Sequence, residues 1–339
     1  MTSRIPLPGA FGDQPFLVAE ARDAGVGRSR LAGADLRSPF WGIRSSGSAG
    51  LGELCRALLL RMPPNAFFTH ETAAGLMGLP LPRRSEAALP LHVGVPAPVR
   101  AMDARDVAGH TMRIGPDELM VRQGLPLTGP ARTWLDLAAR LSLLELVAVG
   151  DYLVRWEHPL TTLDELTDVV TRYSRRRGLA LARAALPLLR TRSESPRESV
   201  LRVIIVLAGL PEPECNFNIL DPLGRFLARG DLAYPEFKLL LEYQGDHHRT
   251  DRAQWRRDIR RVGRVEDHGW QMLQFTDDDL RNPVELVARI ERRLRSRGWT
   301  GDPSDSTPTP SLTCGHNTFN FETKVVCPQV NRGTTGARG

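Results

Sequence analysis

An acidic residue gains nothing inside an apolar strand, yet the run Asp231-Leu-Ala-Tyr-Pro-Glu-Phe-Lys-Leu-Leu-Leu-Glu242 carries one on each arm of what reads as a β-hairpin. With the turn centred between Glu236 and Phe237, Asp231 faces Glu242. Directly opposed residues have Cβ atoms about 4.5–5.5 Å apart, so two carboxylates there repel each other unless they share a cation. A divalent metal bound through carboxylate oxygens is the simplest reason to keep the pair. Gly245-Asp246-His247-His248 follows at once. Imidazole titrates near neutral pH, so His247 or His248 suits a general base or a proton donor to a leaving oxygen. The alternative is a pair of ordinary polar residues at a strand end.

Glu236-Phe237-Lys238 is a decoy for the same chemistry. Glu236 falls at the turn, and Lys238 is four residues from Glu242, about 13 Å along an extended strand. Lys238 is therefore expected as an exposed hairpin charge. In Ser195-Pro196-Arg197-Glu198 the glutamate completes a capping box with proline at the first helical position.

Positioning these residues takes a helix at about 196–208, strands at about 215–220, 225–234 and 238–244, a helix at 251–266, a strand at 269–275 and a helix at 283–297. The order is α-β-β-β-α-β with one trailing helix, and Asp221-Pro222-Leu223-Gly224 is a turn between the first two strands. Upstream, Phe16 to Asp23 and Gly27 to Leu31 read as two short helices, and Phe40-Trp41-Gly42-Ile43 as a strand, together a winged helix-turn-helix. Arg28 and Arg30 at the second helix either meet nucleic acid or form a solvated helix end. Helices follow at 50–62 and 70–79, a strand at Leu91 to Val95, and a connection at Gly124 to Thr128. Pro130 to Val154 is helical, with Trp134, Leu137, Ala138 and Leu141 at i, i+3, i+4 and i+7. Thr162 and Glu165 open another helix as a capping box, and Leu179 to Leu189 is helical again. The fold class is mixed α/β. Its expected domains are 1–190, 194–298 and a tail, 301–339, too poor in apolar residues to order itself. Cys314, His316 and Cys327 in that tail lack a CxxC pair and make a poor zinc set.

The chain has 339 residues and a formal charge of +6; of its 45 basic residues only Lys238 and Lys324 are lysines. The four cysteines are too scattered for a disulfide framework. The start of the chain lacks a continuous apolar segment, and no run of about 18 apolar residues follows, so a cytoplasmic location and no membrane partner are expected. Residues 249–264 hold seven arginines and two aspartates. On a helix, Arg252, Arg256, Arg260 and Arg264 form one stripe beside an apolar face of Trp255, Ile259 and Val262.

Glu198-Ser199, Gly209-Leu210-Pro211, Asp231-Leu232, Glu242-Tyr243-Gln244-Gly245-Asp246-His247-His248, Arg257-Asp258-Ile259-Arg260-Arg261 and Gly269-Trp270 occur in order over 194–298. In this the segment resembles the PD-(D/E)xK nuclease superfamily, above all the very-short-patch-repair-like endonucleases and the family called domain of unknown function 559. Thr72-Ala73-Ala74-Gly75-Leu76 and Pro130-Ala131-Arg132-Thr133 look like the abortive-infection antitoxin-type domains that precede such nucleases. The resemblance implies a restriction-endonuclease-like core after a winged-helix and α+β region. It implies Mg²⁺ or Mn²⁺ on Asp231, Glu242 and the backbone carbonyl of Tyr243, with Glu198 as a further catalytic acid. No small-molecule cofactor is implied. The partner is DNA, its backbone met by the arginine stripe.

One departure matters. The position of the family's lysine is Gln244, on the same face as Glu242. A glutamine only hydrogen-bonds where a lysine also stabilises charge. Two functions follow: a metal-dependent DNA endonuclease, or a non-catalytic DNA-binding regulator of antitoxin type built on a degenerate nuclease fold.

Overall fold

Segments whose apolar residues recur every three to four positions become helices here, and those that alternate become strands. The computed structural model describes residues 6–12, 14–47, 50–86, 88–244 and 261–303. They form a mixed α/β fold with three sheets.

The first unit is small. Strand β1 (Phe16–Leu17) leads into α1 (Val18–Asp23), then α2 (Arg28–Leu31), and β2 (Ile43–Arg44) returns antiparallel to β1. Two expectations are corrected. Phe16 and Leu17 pair as a strand instead of starting the helix, and Phe40 and Trp41 lie in the approach to β2. Gly42 sits at φ +76° and turns the chain just before the pairing begins.

Helix α3 (Leu51–Leu59), β3 (Phe67–Phe68), α4 (His70–Met77), β4 (Leu91–Pro96), β5 (Val107–Met112), β6 (Leu119–Arg122) and β7 (Leu125–Thr128) follow. The five-stranded sheet has the order β5-β4-β3-β7-β6. Gly124 to Thr128 is thus no simple connection. Gln123 and Gly124, at φ +51° and +77°, make a two-residue turn of the kind that closes hairpins. Beyond it Leu125 and Leu127 are buried, and half-buried Pro126 lies between them.

The helical stretch from Pro130 is two helices, α5 (Pro130–Leu137) and α6 (Leu143–Val154). Ser142 and Glu145 form a capping box that restarts the helix, and the Trp134 indole donates to the Leu146 carbonyl at 2.9 Å across the break. Apolar residues continue through both, which is why the pattern reads as one helix. Next come α7 (Leu163–Arg172), opened by the expected Thr162–Glu165 box, and α8 (Leu179–Ala185).

Helix α9 (Pro196–Leu207) starts the C-terminal layer, with β8 (Glu214–Leu220), β9 (Phe226–Tyr234) and β10 (Leu239–Tyr243) after it. Then come α10 (described over 261–266), β11 (Gln271–Phe275), α11 (Asp277–Arg281) and α12 (Pro283–Ser296). The sheet order is β11-β10-β9-β8, with β10 and β11 parallel and the other pairs antiparallel. The observed order is α-β-β-β-α-β. Strand β11 begins two residues later than expected because Gly269, at φ +78°, still ends α10.

One sheet face packs Leu232, Tyr234, Leu239 and Leu241 on Leu201, Ile204 and Ile205 of α9 and on α12. The other packs Ala233 and Leu240 against Val265 of α10. Helix α9 also turns Val203 into the core of residues 55–189. On that side fully buried Arg202 pairs with Asp151 of α6 at 2.8 Å. The expected tail after residue 303 lies outside the described residues.

Candidate active site

Leu239, Leu240 and Leu241 lie opposite Tyr234, Ala233 and Leu232. One step further sets Glu242 against Asp231, on the sheet face that carries α10. On the neighbouring pair, Cys215 lies opposite Leu232 and Phe217 opposite Gly230, which sets Asn216 beside Asp231. Glu242 in turn pairs with Gln274 of β11. A polar row, Asn216-Asp231-Glu242-Gln274, therefore crosses all four strands where the leucine layer ends. Asn216 holds φ +52°, a left-handed conformation that asparagine tolerates better than most residues.

Helix α9 brings the third acid. The Ser195 hydroxyl caps it by accepting from the Glu198 N–H at 3.2 Å. Glu198 Oε2 accepts from the Glu194 N–H at 3.2 Å and from the Asn216 amide at 3.4 Å. The expected capping box is only half formed: Ser195 caps the helix, but the Glu198 carboxylate turns to the Glu194 N–H and the polar row instead of the Ser195 N–H. Burial pushes its carboxyl up to about 7, and the neighbouring Asp231 charge adds to the rise.

Asp231 Oδ2 accepts from the Tyr243 backbone N–H at 2.9 Å. Burial raises the Asp231 carboxyl as well; that hydrogen bond and Arg261 pull it down, Glu194 pushes it up and Arg229 lowers it. Glu242 is 3% exposed. Its carboxylate pairs with the Arg261 guanidinium, which also donates to the Arg229 carbonyl. The protein thus supplies partners of its own for the opposed acids. Arg229 pairs with Glu194, closing a ring of charge around the row.

Tyr243 points to the opposite face, where its phenol donates to Asp277 at 2.7 Å and Arg197 pairs with the same carboxylate at 3.1 Å. Gln244 is half-buried, and its N–H donates to the Phe275 carbonyl at 2.7 Å. Lys238 is exposed at the hairpin turn, where it donates to the His268 carbonyl at 3.2 Å, remote from the acids. His247, His248, Arg252, Arg256 and Arg260 lie outside the described residues. Arg264 is exposed on α10. In the first unit Arg28 is exposed, whereas Arg30 makes a two-armed contact with Asp35 at 2.8 and 3.2 Å.

Neither Asn216 nor Arg261 was among the expected site residues. Asn216 was within reach of a strand-pairing argument extended to the third strand. Arg261 was not, because its aim depends on how α10 lies across the sheet.

The donor set is all oxygen, and burial raises the carboxyls of Glu198 and Asp231, the Asp231 charge adding to the rise at Glu198. That is the setting in which a hard divalent cation is stabilising, and Asp231, Glu242 and Glu198 are the residues that would hold it.

No protein-family model matches the chain. Two curated relatives, the uncharacterized proteins MT2308 and Rv2248 of Mycobacterium tuberculosis strains CDC 1551 / Oshkosh and ATCC 25618 / H37Rv, are each 32% identical over 168 residues. Those residues are 49% of this chain and 61% of each relative, so the chain spans about three fifths of the relatives' length. The crystal structure of the Rv2827c protein from Mycobacterium tuberculosis overlaps 62% of this chain and 84% of that one, at 15% identity and a TM-score of 0.37. A likeness that distant carries no argument. Among the described residues no helix is long and apolar enough to cross a membrane.

Proposed function

We propose that the C-terminal sheet carries a divalent-cation-dependent endonuclease site acting on DNA. The observation that supports it is the convergence of Glu198, Asp231 and Glu242, from three separate elements, on one polar row at the end of a leucine layer. Mg²⁺ or Mn²⁺ held there supplies a Lewis acid for a phosphate oxygen and a water of lowered pKa. The chain's own residues do the rest. The Tyr243 N–H fixes Asp231, Arg261 holds Glu242, and Glu198, its carboxyl pushed up to about 7 by burial, joins them once it is ionised. Arginines 249–264 run next to this site in the sequence and offer bidentate contacts to the DNA backbone. A chain acting on DNA in this way works in the cytoplasm.

The test is nicking and cleavage of supercoiled DNA with Mg²⁺ or Mn²⁺. Asp231→Ala combined with Glu242→Ala should lower the rate by about 10³-fold or more, since metal stabilisation of the transition state is worth several kcal/mol. Unchanged cleavage by the double variant sinks the proposal.

A second reading rests on its own observation. Gln244 stands where the resembled nucleases carry lysine, and Arg261 already neutralises Glu242. Both suit a DNA-binding regulator that has kept the fold and lost the reaction. Protein that shifts DNA yet cuts with neither cation decides for this reading.

A further inference from the structure

We propose that His70, His92 and His110 form a second cation site, of three imidazoles, for a late first-row transition metal of the zinc class. It lies in the N-terminal core, on a different sheet from the carboxylates, and does not depend on their function.

Three elements bring the rings together. Strand β3 ends at Phe68, and the chain turns through Thr69 into α4, whose first residue is His70. His92 lies on β4 and His110 on the adjoining β5. The turn is pinned: the Thr69 N–H donates to the His92 carbonyl at 3.0 Å, and the His92 N–H donates to the Thr72 hydroxyl at 2.8 Å. One nitrogen from each ring lies within 4.8 Å of the other two. Ligand atoms about 2.0–2.1 Å from a tetrahedral zinc stand roughly 3.4 Å apart, so small side-chain rotations close the site.

The hydrogen bonding favours a cation over an ordinary buried polar cluster. His92 Nδ1 and His110 Nε2 face each other at 3.0 Å. His70 is 9% exposed, and its buried Nδ1 has no hydrogen-bond partner among the described residues. A buried polar atom left so has lost its water without gaining a partner. His70 also holds φ +49°, a left-handed backbone on a helical residue, which only the surrounding packing can hold.

The surroundings complete the arrangement. His92 turns its other nitrogen, Nε2, to Glu71 Oε2 at 3.4 Å, and Arg140 pairs with the second oxygen of Glu71. The contact is an ion-pair distance and not a hydrogen bond, yet it sets a carboxylate beside the nitrogen that a metal-bound histidine turns away from its metal. Neutral imidazole is the form that binds metal, and nitrogen donors select zinc, cobalt, nickel or copper over magnesium.

The experiment is Co²⁺ titration of the full chain stripped with a chelator, read by visible absorption, with Zn²⁺ as competitor. Wild type should bind one Co²⁺ with the bands of a nitrogen-ligated site and release it to Zn²⁺. Asp231→Asn combined with Glu242→Gln should leave those bands unchanged. His110→Ala should abolish them, and Glu71→Gln should weaken binding by about tenfold to a hundredfold as a positioning residue. Wild type that binds no tighter than His110→Ala overturns the proposal, as do bands that survive the histidine change and vanish with the carboxylates. Should the histidine variants fail to fold, imidazole proton resonances of wild type are followed with Zn²⁺. Shifts of three histidines support the site, and their absence overturns it.

Discussion

The two large sheets set opposite donors into similar surroundings. In the N-terminal sheet three imidazoles converge beside α4; in the C-terminal sheet Asp231 faces Glu242 at the end of the leucine layer, and Glu198 of α9 reaches their neighbour Asn216. Burial acts on both by the same rule, disfavouring the charged form. The outcomes are mirror images. The histidines lose their protons and present bare lone pairs, while Glu198 gains one and must release it before it can hold a cation. Burial thus favours neutral imidazoles in one cluster and a protonated Glu198 in the other. Environment alone makes one arrangement static and the other titratable.

The largest expected effect concerns the joint between these regions. Arg202 is fully buried with Asp151 at 2.8 Å and also donates to the Leu188 carbonyl. Removing one partner of a buried pair leaves an uncompensated charge, costing about 3–5 kcal/mol. Arg202→Ala should lower the stability of both regions together in urea denaturation followed by tryptophan fluorescence and far-ultraviolet dichroism. Loss confined to one transition would show that the sheets are independent, and the comparison would then concern two separate molecules in one chain.

Next in size is the pH dependence, where the mirror image predicts opposite signs. Glu198 in the folded chain keeps a proton that the unfolded chain has released between pH 4.5 and about 7. Its contribution to stability is present below 4.5 and lost as pH rises through that window. His92 in the folded chain refuses a proton that the unfolded chain takes up between 6.5 and about 4. Its contribution is present above 6.5 and lost as pH falls. Each group changes the slope by at most about 1.4 kcal/mol per pH unit. In metal-free denaturation series from pH 4 to 8, Glu198→Gln should remove a falling slope and His92→Gln a rising one. Changes of the same sign would break the comparison.

The smallest effect separates helix capping from the site. Ser195→Ala and Thr162→Ala each remove a side-chain cap and should each cost about 1 kcal/mol in thermal unfolding. Only the Ser195 change frees the turn that presents Glu198, so only it should slow Mg²⁺-dependent cleavage. Equal cleavage by the two variants would detach Glu198 from the reaction.

Much of this was legible in the residues because the rules involved are local. Period-2 alternation and a turn centred between Glu236 and Phe237 set the β9–β10 register, and with it the facing of Asp231 and Glu242. A capping box at Thr162 and a serine cap at Ser195 opened helices where they were expected. Local rules also explain the errors. Gln123-Gly124 turns a hairpin without the usual asparagine, so β6 and β7 went unseen. Ser142 restarts a helix inside an unbroken apolar pattern, so α5 and α6 read as one.

What the sequence determined by itself is whatever neighbours along the chain enforce: helix starts, the hairpin register, the order α-β-β-β-α-β, and the exposure of Lys238 at a turn. Tertiary structure alone decided which distant side chains share a low-dielectric volume. His70, His92 and His110 come from three elements with no common spacing, and Arg261 reaches Glu242 only because α10 crosses that face of the sheet. Burial then sets their protonation. Desolvation depends on what surrounds a group in space, and no count of residues along the chain records it.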